Sequence, residues 1–277
     1  MLETRVLRYL LAVSLWWLFA SSAGAQSTSG TELALGVQAY EHARYEEAIQ
    51  HFEKAIAQDP SDVHAHLYLA TACAQQYIPG VEDEDNVKFA ERAIEQYKQV
   101  IDLHPTGTNP LENNLLNAVK GIAYLDLQMK RFDEAKGYYR RATELGPDDP
   151  EPYYSIGVID WTLTYQLRQE ERAKLNLKPG ASLPAKDRKV CAELREKNWA
   201  NIADGIENLN KALQLRPDYD DAMAYMNLMY RERADVQCEE PVAREADLKT
   251  AADWVDKTLA CKKAKAEKKE GPSSPEQ

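Results

Sequence analysis

The feature that most constrains this chain is a pattern of small and bulky residues that recurs between prolines. The stretch 33–60 carries small residues at Gly36, Ala48 and Ala55 and a bulky one at Phe52. Two antiparallel helices approach closely only where one presents Gly or Ala to the other. Proline ends a helix because it lacks the N–H group. The pattern therefore predicts a pair of amphipathic helices that a proline closes.

The same frame recurs along the chain. Three further copies use these residues: Leu69, Ala70, Ala93, Tyr97, Val100 and Pro105; Ile122, Ala123, Phe132, Ala135, Tyr139, Ala142 and Pro147; Ile156, Gly157, Gly205, Leu209, Ala212 and Pro217. A degenerate fifth copy begins at Met226 and Asn227 and ends near Ala251 and Trp254. Only 12 glycines are present, and helix-forming residues dominate, so the chain is expected to be all-α.

The pattern resembles the tetratricopeptide repeat (TPR), whose unit of about 34 residues places small and bulky residues in the same order. The resemblance covers residues 29 to 262. It implies an all-α fold, a right-handed α-solenoid of about five helix-turn-helix units with an elongated helical hairpin in repeat four. The expected repeats are approximately 29–62, 63–107, 108–149, 150–219 and 220–262, followed by a disordered tail over 263–277.

The insertions distinguish this chain from a regular array. The closing prolines at 60, 105, 147 and 217 are 45, 42 and 70 residues apart, which exceeds the repeat length each time. In repeat two the surplus predicts a loop over 77–86, where Asp85 or Asn86 caps a helix that begins near Val87. In repeat four it predicts two overlong helices that form a hairpin projecting beyond the solenoid.

The first 25 residues have the pattern of a secretory signal. Arg5 and Arg8 precede an apolar run from Tyr9 to Ala20, and small residues lie before Gln26. That run is too short for a spanning helix, which needs about 20 residues. The sequence thus predicts an exported protein, periplasmic or extracellular, with no membrane span after cleavage; an uncleaved anchor is the alternative.

Charge argues against nucleic acid as a partner. Removing residues 1–25 leaves 32 basic and 44 acidic side chains, a net charge of −12. An acidic surface repels phosphate backbones. The remaining partner classes are proteins and peptides, and the oligomeric state is left open.

The cysteines suggest one crosslink. Cys191 lies 14 residues before Gly205, and Cys238 lies 11 residues after Asn227. If both stretches are helical, Cys191 lies about 21 Å along its helix from Gly205, and Cys238 lies about 16 Å from Asn227. Gly205 and Asn227 are expected at similar heights in adjacent repeats, so the two thiols should lie near the same edge. An oxidising compartment would favour a disulfide between Cys191 and Cys238, with four free thiols as the alternative. Cys73 is expected to be a buried apolar residue.

No motif for chemistry is present. The sequence lacks a glycine-rich phosphate loop, a paired C-x-x-C and a G-x-S-x-G element, and His64 and His66 point to different faces of a helix. The sequence therefore predicts no enzyme, no catalytic residues, no metal site and no cofactor.

The resemblance also implies a binding surface. In such an array the first helix of each repeat, helix A, lines the concave side, and the second, helix B, lies outside. Aromatic side chains in these slots suit an extended or helical peptide. The implied groove residues are Tyr40, Leu67, Lys120, Tyr124, Tyr154, Val158 and Trp161. Ordinary packing between repeats is the alternative role for the rings.

Two function classes follow from the resemblance. The first is a non-enzymatic interaction scaffold that binds a peptide or protein in the helix-A groove. The second is a structural subunit of an envelope or secretion complex that makes contact through the repeat-four hairpin, with Trp199 and the charged stretch 188–197. A carbohydrate-binding module that uses the same aromatic residues is a third, weaker alternative.

Overall fold

A computed structural model describes residues 28–103, 112–177, 188–237 and 239–270. Within these ranges the chain forms ten α-helices and no strand. The helices are α1 Thr28–Glu41, α2 Tyr45–Gln58, α3 Val63–Gln76, α4 Glu84–Leu103, α5 Glu112–Gln128, α6 Phe132–Leu145, α7 Pro150–Lys174, α8 Arg188–Leu215, α9 Asp220–Asp235 and α10 Pro241–Glu270. The all-α prediction is confirmed, and the predicted signal at residues 1–25 lies outside the described residues.

The helices form five successive pairs, from α1 with α2 to α9 with α10. The turns within repeats one and three are the same: the N–H of Arg44 donates to the Ala39 carbonyl at 2.9 Å, and that of Arg131 to the Asp126 carbonyl at 2.8 Å. In each turn the preceding residue, Ala43 or Lys130, has a positive φ near 60°. A left-handed residue at this place ends a helix and reverses the chain.

Small residues lie where helices touch, as the sequence pattern predicts. A Cβ atom added at Gly36 would lie 2.4 Å from the Phe52 ring, and one added at Gly157 would lie 2.5 Å from Leu209. Phe52 and Leu209 are fully buried. The close approach of helices A and B in repeats one and four therefore depends on the missing side chain.

Replacing Gly157 with alanine is expected to destabilise the protein, whereas the same change at Gly137 is expected to stabilise it. Gly157→Ala overpacks the contact with Leu209, at a cost of about 1–3 kcal/mol that exceeds the gain in helix propensity. Gly137 lies exposed on α6 with open space around it. Gly137→Ala should therefore gain about 0.5–1 kcal/mol. Urea unfolding followed by circular dichroism measures both, and equal shifts of the midpoint would contradict the packing role.

The insertion in repeat two is an ordered loop. The Asn86 side chain accepts from the Ile78 N–H at 2.7 Å and donates to the carbonyls of Ile78 and Val81 at 2.9 and 2.7 Å. Asp83 accepts from the N–H groups of Asp85 and Asn86. The capping prediction was therefore wrong in position: α4 begins at Glu84, Asp83 caps it, and Asn86 holds the loop.

The hairpin of repeat four is long, as predicted, but it does not project freely. α7 has 25 residues and α8 has 28. The far part of α7 is fixed to α9 by ion pairs of Arg168 with Glu232 and of Arg172 with Asp235. The end of α9 extends alongside the hairpin, in agreement with the cysteine spacing, but the sequence pattern did not indicate the ion pairs.

The last helix also differs from the prediction. α10 continues to Glu270, so residues 263–270 are helical and not part of a disordered tail. Alanine and lysine are strong helix formers, and the Lys265 ammonium lies 2.6 Å from the Asp220 carboxylate of α9. Residues 271–277 lie outside the described residues.

The chain divides into two compact units, Met1–Gly121 and Ile122–Gln277, with the boundary inside α5. In the first unit α2 packs on α3, and in the second α6 packs on α7 and α8 on α9. Among the described helices, none combines the length and the apolarity that a membrane crossing requires.

Candidate functional site: partner-binding surfaces

The second unit carries a contiguous set of aromatic rings, which we call the aromatic face: Tyr154, Trp161 and Tyr165 of α7 and Tyr225 of α9. The Tyr225 ring lies edge-on to Tyr154 at 5.6 Å and to Trp161 at 5.5 Å. Trp161 stacks on Tyr165 at 4.9 Å. Spacings of seven and four residues, which correspond to two turns and one turn, place the α7 members on one side of the helix. Predicted site residues Tyr154 and Trp161 are thus brought together.

The rings of the aromatic face are only partly covered. Tyr154, Trp161 and Tyr225 are half-buried, Tyr165 is exposed, and the predicted residue Val158 lies half-buried between them on α7. Aromatic surface at such positions offers large contact area at low entropic cost. The face can therefore accept apolar side chains of a partner.

Tyr154 has a second role in packing. Its ring lies 4.8 Å from that of Tyr219, over which the Arg216 guanidinium sits at 3.8 Å. Burial raises the pKa of Tyr154 and raises that of Tyr219 to about 12. Both hydroxyls are neutral at physiological pH, so this end of the aromatic face presents no negative charge from tyrosine.

A buried charge network lies behind the aromatic face. Lys136 of α6 contacts the Asp160 carboxylate of α7 and lies 2.7 Å from that of Asp204 on α8, which Arg140 also contacts. Asp160 is fully buried, and burial raises its pKa to about 7. Both carboxylates share the Lys136 ammonium, and Asp160 has no exposed surface, so the network links α6, α7 and α8.

The first unit has a separate candidate surface, which we call the α3–α5 cleft. Its volume is about 320 Å³, and it is lined by His64, Leu67, Tyr68, Thr71, Tyr97, Asn114 and Asn117. The predicted groove residue Leu67 lines this cleft. Behind it Tyr68 stacks on the buried Phe52 ring at 5.6 Å, which fixes one wall.

Asn114 and Asn117 were missed by the sequence analysis. Their side-chain amides can donate to and accept from the backbone of an extended peptide. The available signal was their spacing with Lys120 and Tyr124 along α5, since steps of three or four residues fall on one side of a helix. Asn114 lies in the stretch where the insertion shifts the repeat frame, which concealed its place in helix A.

The other predicted residues lie apart from these sets. Tyr40 of α1 is half-buried, meets Tyr45 edge-on at 5.4 Å and does not line the α3–α5 cleft. Lys120 is half-buried on α5, and Tyr124 is exposed further along the same helix. The seven predicted residues therefore divide between the two units: Tyr40, Leu67 and Lys120 in the first, and Tyr124, Tyr154, Val158 and Trp161 in the second.

The cysteine predictions are tested only in part. Cys73 is fully buried, as expected, and burial raises the pKa of its thiol to about 11. Cys73 and Cys261 are the free cysteines of the described residues. Cys191 is buried with its sulfur 3.8 Å from the Asp235 carbonyl oxygen. Cys238 lies outside the described residues, so the disulfide stays a prediction.

Within the described ranges, no three His, Cys, Asp or Glu side chains are grouped so that they could hold a metal ion. The aromatic face and the α3–α5 cleft present aromatic rings and side-chain amides. Aromatic rings and amides of this kind suit the binding of polypeptide.

Comparisons with known proteins agree with this fold. Sequence models of the tetratricopeptide repeat match residues 33–106 and 121–149. A comparison with curated protein sequences gave no match. Among solved structures, a crystal structure of MamA protein is 14% identical, covers 90% of this chain and 98% of its own, and has a TM-score of 0.58.

Two further structures show the same architecture. MamA 41-end from Desulfovibrio magneticus RS-1 is 15% identical, with coverage of 87% and 98% and a TM-score of 0.56. YrrB, described as a TPR protein with an unusual peptide-binding site, is 12% identical, with coverage of 87% and 100% and a TM-score of 0.51. Identities this low establish a shared fold alone. With its two matched stretches, its five helix pairs and the small residues at their contacts, the chain is a tetratricopeptide-repeat protein.

Proposed function

We propose that this protein is a non-enzymatic scaffold that binds a peptide or protein partner on its helix-A surfaces. The observation that carries the proposal is the aromatic face, where successive ring contacts link four rings on α7 and α9 and leave part of each ring exposed. The exposed part of this face is accessible to a partner. The tetratricopeptide fold is one of protein-interaction scaffolds, and YrrB is described as having a peptide-binding site.

The α3–α5 cleft supplies a second contact of different chemistry. Asn114, Asn117 and Thr71 offer polar groups beside the apolar Leu67 and the ring of Tyr68. Such a mixture suits an extended segment whose backbone needs hydrogen bonds and whose side chains need apolar contact. We place the protein in the periplasm or cell exterior, on the strength of the signal pattern in residues 1–25.

An alternative contact surface is the outer side of the hairpin. Trp199 of α8 is exposed, with the Arg195 guanidinium 4.8 Å from its ring centre. An exposed tryptophan is a common centre of protein interfaces. A structural subunit of an envelope or secretion complex would use this side. Alanine variants of Trp161 and Trp199 distinguish the two candidates.

Replacing Trp161 or Tyr165 with alanine is expected to weaken partner binding at least tenfold, because central aromatic residues carry much of an interface's energy, about 2 kcal/mol or more each. The partner is first identified by crosslinking in cells and mass spectrometry, and its affinity for the purified chain is then measured by calorimetry. Tyr165 is exposed, so its replacement leaves the fold intact.

Trp199→Ala is the matched control, since it removes an exposed aromatic residue of α8 outside the aromatic face. Its affinity for the partner should equal that of the wild type. If Trp199→Ala abolishes binding and the α7 variants bind normally, the helix-A proposal is wrong and the hairpin is the contact surface.

A further inference from the structure

The helix-B residues that support the stacking of repeats are covered in the interior of the array. In α2, α4 and α8 the residue that follows the small residue of helix B is an isoleucine, and it is buried: Ile49, Ile94 and Ile206 at 7, 7 and 8% exposed. The next helix A supplies cover on this side, since α2 packs on α3 and α8 on α9. We call this side of helix B the stacking face.

On α10 the stacking face is bare. Aligning its small residue Ala251 with Gly205 of α8 places Ala252 opposite Ile206 and Leu259 opposite Leu213. Leu213 is half-buried in α8, whereas Leu259 is 61% exposed and Ala252 is exposed as well. Within the described residues no helix follows α10 to cover them.

The first helix has a matching exposed surface. In each helix A an apolar residue precedes the position where helices A and B touch, and in repeats two to five this residue is nearly inaccessible: Leu69 at 3%, Ile122 at 0%, Ile156 at 1% and Met226 at 1% exposed. Its counterpart in α1, Leu35, is 39% exposed. Ala34 beside it is also exposed, although its counterpart Tyr68 stacks on Phe52 of the preceding repeat at 5.6 Å.

The charges of the two terminal helices are opposite. α1 carries two acidic and no basic side chains, a net charge of −2. α10 carries eight basic and six acidic side chains, a net charge of +2. Opposite charges around apolar patches favour docking and fix its orientation.

We propose that a second copy of this chain docks α1 against the bare stacking face of α10, so that copies associate head to tail. This contact between two chains has the same form as the contact within each chain, where helix A of one repeat stacks on helix B of the repeat before it. Because two different surfaces meet, a linear pair of copies retains one free surface of each kind, and further copies can add to it. This inference goes beyond the proposed function and does not use the aromatic face.

Sedimentation velocity of the purified full chain over a concentration series tests the proposal. The wild type is expected to gain mass as its concentration rises, and less so at high ionic strength, because salt screens the charges. Leu259→Asp and Ala34→Arg should each weaken self-association at least tenfold. An equimolar mixture of the two variants should form a one-to-one pair and nothing larger, since each variant retains the end that the other has lost.

Val242→Asp is the control, because Val242 is 82% exposed at the start of α10, away from the stacking face. It should associate like the wild type, and circular dichroism should show all variants folded, since each changed side chain is exposed. A wild type that stays monomeric, a mixture of variants that stays monomeric, or a Val242→Asp variant that no longer associates would each overturn the proposal.

Discussion

Replacing Arg168 with methionine is expected to destabilise the protein by about 3–5 kcal/mol, the usual cost of leaving one partner of a buried ion pair without the other. Arg168 donates from Nε and Nη2 to both oxygens of Glu232, at 2.6 and 2.5 Å, and from Nη1 to Asp235 at 2.9 Å. Glu232 is 2% exposed. Burial raises the pKa of Glu232 and the Arg168 charge opposes that rise. Denaturant unfolding measures the loss.

Two further variants separate the buried charge from simple loss of packing. Arg168→Met combined with Glu232→Leu should recover most of the stability, because a buried ion pair and an apolar pair of similar volume differ little in free energy. Lys174 is 66% exposed and pairs with Glu171 on the same helix, so Lys174→Met should change stability by less than about 0.5 kcal/mol. A double variant as unstable as the single one would contradict this account.

This ion cluster explains why the hairpin has the predicted length but does not project freely. The sequence pattern gives helices from local spacing, so the length of α7 and α8 could be predicted. The stretch from Trp161 to Leu175 contains many polar residues and resembles a solvated helix. Arg168 and Arg172 are buried only because Glu232 and Asp235, more than 60 residues away, extend α9 beside them. No local pattern reports a partner at that distance.

The contacts between paired helices could be predicted because each is a local pattern that recurs. Gly36 with Phe52 and Gly157 with Leu209 occupy the same slots in their repeats. The candidate site was predictable to the same extent: Tyr154, Val158 and Trp161 follow helical spacing on one segment. Asn114 and Asn117 were missed because the insertion before α5 changes the repeat spacing. The groove positions of helix A are counted from that spacing.

Lys136 shows how one departure from the repeat creates a buried network. It occupies the slot that holds Ile49, Ile94 and Ile206 in other repeats, and so a lysine takes a position where an apolar side chain is normally covered. A buried ammonium needs acidic partners. Asp160 and Asp204 supply them, which gives Asp160 a structural reason for being on the inner side of α7.

Replacing Asp160 with asparagine is expected to stabilise the protein at pH 8 and to leave it nearly unchanged at pH 4. The pKa of Asp160 is raised from 3.8 to about 7 by burial. Near pH 4 the carboxyl is neutral in the folded chain and about half ionised in the unfolded chain, so its effect on stability is small. As the pH rises towards 7, the unfolded chain loses this proton before the folded one does, so the free energy of unfolding falls. Asparagine does not ionise, and its advantage should reach about 2–4 kcal/mol.

Asp204→Asn is the matched control, with the opposite expected sign. Lys136 and Arg140 lower the pKa of Asp204, so its stabilising contribution is present at neutral pH and is lost as the pH falls through the folded value. The Asp204 variant should therefore be less stable than the wild type at pH 7, with the difference shrinking in acid. Between pH 4 and pH 8 the difference from the wild type should therefore grow for Asp160→Asn and stay level for Asp204→Asn, whose difference shrinks only below pH 4. Both variants remove one carboxylate beside the same lysine, so an equal pH dependence of the two in urea unfolding over this range would contradict the assignment of the cost to the buried Asp160.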